Sequence, residues 1–156
     1  MKVKRKIRSV FALSLLSILI CTNGLKSQAA DEKECIDGSY LLEENYSEGE
    51  SVNISRGIYL KSGSSTLIKE GTGKITAGGR TVGEIVVSKI SVVVKVQKLV
   101  NGSWEAYTSW TTTKYNSALV SSSKTLSVPT GYYYRVCCSH YANSDVSGSY
   151  TDGIHV

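Results

Sequence analysis

The chain has 156 residues, 41% of them hydrophobic, and carries 18 basic against 13 acidic side chains. Six of the basic residues (Lys2, Lys4, Arg5, Lys6, Arg8 and Lys26) and none of the acidic ones fall within residues 1–29, leaving 12 basic against 13 acidic residues beyond them. A near-neutral remainder without a Lys/Arg cluster excludes nucleic acid as a partner, since phosphate binding needs concentrated positive charge.

Residues 1–29 have the three parts of an export signal: a basic start, the apolar run Val10–Cys21, and the small-residue stretch Ser27-Gln28-Ala29. The apolar run, about 12 residues, is shorter than the roughly 20 needed to cross a bilayer as a helix. A signal-peptide helix over 1–29, cut between Ala29 and Ala30, is therefore expected, with a secreted product that meets the membrane only during export. What remains is the length of one domain.

Residues 30–51 are acidic and weakly patterned, which predicts a flexible lead-in. The apolar island Tyr40-Leu41-Leu42 is its one candidate strand. Residues 52–156 form the predicted domain. Short strand candidates Val52–Leu60, Ser65–Glu70, Lys74–Ala77 and Thr81–Ile85 are separated by glycine-bearing breaks at 61–64, 71–73 and 78–79. Val87–Leu99 alternates with period two and places Ile90, Val92, Val94 and Val96 on one face. Asn101-Gly102 then predicts a type I′ hairpin turn into Trp104–Thr113. Further strands are expected at Ser117–Ser121, Lys124–Val128, Tyr132–Tyr141, Val146–Tyr150 and Ile154–Val156.

Many short strands with no helical period predict an all-β domain, an antiparallel β-sandwich of immunoglobulin/fibronectin-like or jelly-roll-like form. The phrase Leu126–Val136 (LSVPTGYYYRV) looks like the corner at which such sandwiches tether a buried tyrosine by its hydroxyl.

Asp37-Gly38-Ser39-Tyr40-Leu41, Ser55-Arg56-Gly57, Lys74-Ile75-Thr76-Ala77-Gly78-Gly79 and above all Ser123–Val136 (SKTLSVPTGYYYRV) carry a resemblance, with His140, Ala142-Asn143-Ser144 and Thr151-Asp152-Gly153-Ile154 after them. Over residues 37–156 the chain resembles a family of small secreted Gram-positive bacterial proteins, a domain of unknown function. The resemblance implies export and a compact β domain and brings no catalytic residue with it.

Chemistry-bearing constellations are sparse. His140 and His155 are the only histidines, and the cysteines lack a CxxC spacing, so neither metal nor any other cofactor is expected. Cys137 or Cys138 with His140 is the one drawable nucleophile–base pair, but it has no recognisable third member. In an exported chain the odd set Cys35, Cys137 and Cys138 suggests one bridge. Cys35–Cys137 is the candidate, against three unbridged thiols; a bond between the two neighbours would be strained.

Of ten tyrosines, none lies in the export segment. Tyr107, Tyr133 and Trp110 are the candidate contacts to an extracellular protein or glycan, although tyrosine also fills strands by propensity. The expected function is a secreted, monomeric, non-enzymatic binding module acting outside the cell or at its envelope. The alternative is a bacteriocin-like or pore-forming antagonist, because an alternating hairpin also suits membrane insertion.

Overall fold

The computed structural model describes residues 33–51 and 57–156. The expected export segment 1–29 with its expected cut between Ala29 and Ala30, and residues 52–56 of the predicted Val52–Leu60 strand, lie outside the described residues.

The described residues form nine strands and no helix. In chain order they are β1 (Cys35–Ile36), β2 (Ser39–Leu42), β3 (Tyr46–Glu50), β4 (Leu60–Gly71), β5 (Lys74–Val100), β6 (Ser103–Ser127), β7 (Tyr133–Ala142), β8 (Asp145–Tyr150) and β9 (Gly153–His155). They join in one mixed sheet of order β1-β2-β9-β7-β5-β4-β3, with β6 added to β5 and β8 to β7, curled into a half-barrel. The all-β class is as expected. The two separate antiparallel sheets expected of a sandwich are instead one continuous sheet, in which β2 runs parallel to β9.

Continuity comes from β5. Its first part pairs with β4 and its second part with β7, while β6 follows it along both. The strand turns its corner at 83–86, where the register with β6 jumps from Val82–Leu119 to Val87–Ser117. The amide of Glu84 is held there by the Tyr59 carbonyl at 2.8 Å. Two limbs thus face each other across the core without breaking the sheet.

The core is the apolar face of the alternation. Ile90, Val92, Val94 and Val96 are fully buried, together with Leu67, Ile75 and Ala77 from the other limb. Each of the valine, leucine and isoleucine side chains contributes about 1.5–3 kcal/mol on burial. Asn101 and Gly102 take positive φ (49° and 77°), the conformation of the expected hairpin turn. Tyr134, also fully buried, donates its hydroxyl to the Pro129 carbonyl at 2.8 Å, so the tyrosine-tethered corner is present on a different sheet arrangement.

Two expectations about breaks are corrected. Gly63 and Gly78-Gly79 lie inside β4 and β5, not in turns. A Cβ on Gly79 would stand 2.6 Å from Cys138 Sγ, and one on Gly63 would enter the His140 imidazole. These glycines let the limbs approach, a use that sequence punctuation cannot distinguish from a turn. Residues 33–51 are likewise not a flexible lead-in, since they supply β1, β2 and β3. Arg135 on β7 fixes β1 and β2, donating Nε to Gln97 Oε1 (2.9 Å) and Nη1 to the Asp37 carbonyl and Ser39 Oγ (3.0 Å each). Its guanidinium lies 4.5 Å from the Trp104 ring, and the Trp104 indole donates to the Ile36 carbonyl.

Candidate functional site

The three aromatic candidates do not converge. Tyr107 is the extra residue of a bulge in β6, where Val96 pairs with Thr108 and Gln97 already with Ala106. The bulge sets Tyr107, still partly exposed, edge-on to Tyr134 at 5.8 Å, with its hydroxyl donating to the Ser127 carbonyl. Trp110 donates to Ser122 Oγ at 3.0 Å, and Lys124 Nζ covers its ring at 4.9 Å. Tyr133 sits on the opposite face of the sheet, bonded to Glu43 at 2.6 Å and leaning on His155. The Glu43 carboxylate raises the Tyr133 pKa to about 12, and the same bond lowers that of Glu43.

The nucleophile–base pair does not form either. His140 is fully buried, with Nδ1 2.8 Å from Thr81 Oγ1 and Nε2 2.8 Å from Ser149 Oγ. Thr81 has one hydroxyl proton, which goes to the Ser91 carbonyl at 3.2 Å. Both ring nitrogens thus have a hydroxyl partner, and in the neutral ring one nitrogen donates while the other accepts. Burial pulls the imidazole pKa down to about 4, leaving a neutral, fully bonded ring. Cys138 is buried, its thiol pushed up to about 12 chiefly by desolvation and directed at the Gly78 carbonyl. The Cys35–Cys137 bridge is not formed: all three thiols are free, and Cys137 Sγ meets Gln97 Oε1 at 3.1 Å. Among the described residues no three His, Cys, Asp or Glu side chains converge as metal ligands.

A different surface gathers polar side chains from four strands. Three cross-strand rows run over β3, β4, β5 and β6 in register: Tyr46–Ile68–Thr76–Thr125, Glu48–Thr66–Gly78–Ser123 and Glu50–Ser64–Arg80–Ser121. Directly opposed residues share a face, so all three rows present side chains away from the core.

Gly78, without a side chain in the middle row, leaves a depression. A trough of about 460 Å³ lies there, and a second of about 460 Å³ adjoins it toward Lys61 and Val82, with Glu48, Ser64 and Arg80 shared by both. Among the described residues Arg80 has neither an ion pair nor a side-chain hydrogen bond. Glu48 accepts a 2.7 Å bond from the hydroxyl of Tyr46, which is half-exposed at the rim. That bond raises the Tyr46 pKa. The surface therefore combines hydroxyls, one free guanidinium, carboxylates and an aromatic edge. It suits a ligand rich in hydroxyl groups.

This surface leaves little local mark in the sequence. Tyr46, Glu48 and Glu50 read as acidic lead-in, and Ser64 and Gly78 as turn. The available signal was polar alternation, as in Ser64-x-Thr66 and Ser121-x-Ser123-x-Thr125, but only the register aligns those short runs.

No curated protein and no solved structure matches the chain. One family profile does, over residues 29–153, which takes in all nine strands except the last residues of β9. The chain belongs to that family, described as a family of unknown function (DUF6147).

Proposed function

We propose that this protein is a secreted, non-enzymatic binding module of a Gram-positive bacterium that takes a glycan along the β3–β6 trough. The observation that carries the reading is Arg80, an exposed guanidinium with no side-chain partner among the described residues, set among Ser64, Thr66, Thr76, Ser121 and Ser123 beside Glu48. A sugar chain offers donors and acceptors at close intervals, and such a hydroxyl array answers both. The basic, apolar and small-residue segment 1–29 supports secretion, and the engaged, neutral His140 and buried Cys138 support a non-enzymatic role.

The test is a glycan array and a pull-down on cell-envelope polysaccharide with the purified protein, Arg80→Ala and Glu48→Gln. Loss of a charged hydrogen bond of roughly 1.5–3 kcal/mol weakens binding by about tenfold or more. Absence of binding across the array, or binding unchanged in Arg80→Ala, overturns the trough as the site. Dye release from liposomes by the same protein would replace this reading with the antagonist one.

A further inference from the structure

The longest exposed edge of the sheet is β6. It spans Ser103–Ser127, pairs on one side with β5, and has no partner on the other among the described residues. Only Val120 on this strand is buried, while Tyr107, Tyr115 and Leu119 are its exposed large apolar side chains. A free edge offers a row of unpaired N–H and C=O groups, for which the matching occupant is another extended strand.

We infer that two copies of this chain associate edge to edge, β6 against β6, about a two-fold axis at Trp110. Two facts select that register. In a symmetric antiparallel pair, opposed residues must lie on the same face. Glu105 pairs with Lys98, and Lys114 with Ile90, and these two β5 residues share a face. Glu105 and Lys114 therefore also share one, despite their odd separation, because the Tyr107 bulge inserts one residue between them.

With Trp110 opposite its own copy, the strands align Ser109 with Thr111, Thr108 with Thr112, and, past the bulge, Ala106 with Thr113 and Glu105 with Lys114. Each Glu105 then meets the Lys114 of the second copy, twice by symmetry. Both side chains are exposed, and neither makes an ion pair among the described residues. The next position brings Tyr115, 68% exposed in the single chain, opposite Trp104 on the other face. The bulge and the two charges blunt this edge against arbitrary strands and are complementary in this register.

Sedimentation velocity on the purified protein over a hundredfold range of concentration tests the inference. The expected result is a concentration-dependent dimer. Glu105→Lys and Lys114→Glu each place like charges opposite one another, and each alone raises the dimer dissociation constant at least about tenfold, the effect of two opposed like-charge pairs. Mixing the two variants restores a heterodimer, because each then supplies what the other lacks. A chain that stays monomeric throughout, or a dimer indifferent to both reversals, overturns the proposal.

Discussion

The imidazole of His140 on β7 lies directly against the backbone of Gly63 on β4, so closely that a methyl group at position 63 would occupy the ring. The half-barrel closes at this contact, and the polar network of Thr81, His140 and Ser149 is compressed into the space that the missing side chain leaves. Gly63→Ala is expected to destabilise the protein by roughly 2–3 kcal/mol, the usual cost of overpacking a tight interior. Gly148→Ala, whose added Cβ would stand 3.6 Å from the Cys138 carbonyl in ordinary contact, is expected to change stability by less than about 0.5 kcal/mol. Urea denaturation of both variants measures the difference.

Acid should weaken the fold through His140. Its folded pKa of about 4 lies below the unfolded 6.5, so between these values the unfolded chain binds more protons. Stability is full above pH 6.5 and falls progressively toward pH 4, by up to about 3 kcal/mol from this group. His140→Gln starts less stable and should lose that slope in this window. The lowered carboxyl groups of Glu43 and Asp145 act further down, below their unfolded values near 4.5 and 3.8. Denaturant midpoints at half-unit steps of pH separate the two ranges.

The corner bond offers a cleaner deletion. Tyr134→Phe leaves the buried ring and removes only the hydroxyl that the Pro129 carbonyl accepts. The expected cost is about 1–2 kcal/mol. Tyr107→Phe, which loses a 3.3 Å bond at an exposed site, should cost less than about 0.5 kcal/mol. Thermal melts followed by near-ultraviolet circular dichroism check the ranking.

Arg135→Lys should act locally. A lysine cannot serve Gln97, Asp37 and Ser39 at once while lying flat on Trp104. The expected outcome is faster amide exchange across β1 and β2, with their opening free energy reduced by about 2 kcal/mol. Exchange in the centre of β5 should remain unchanged.

Legibility in the sequence followed the range of the forces involved. The Val87–Leu99 alternation and the Asn101-Gly102 turn are local, and both were readable residue by residue. So was the tethered corner, although not which tyrosine made it. The faces of Tyr107 and Trp110 were not, because a one-residue bulge swaps every side chain beyond it and leaves no mark in composition. The Glu48–Thr66–Gly78–Ser123 row was equally hidden. Its members come from four strands, and only long-range register makes them neighbours. Glycine misled twice for one reason: a residue chosen for what its neighbour needs looks the same as one chosen for its own dihedral angles.

The parallel pairing of β2 with β9 sets a timetable for folding. Ser39 Oγ reaches the Thr151 carbonyl and the Tyr40 amide reaches Asp152, each across 112 positions of chain. At ordinary rates of synthesis, β2 waits on the order of ten seconds before its partner strand exists. Until then Leu41 and Leu42 have no neighbouring strand on the β9 side, and contacts this distant form slowly because a large loop must first be closed. A chain that cannot complete its sheet early keeps this part of the molecule open for as long as it is being made.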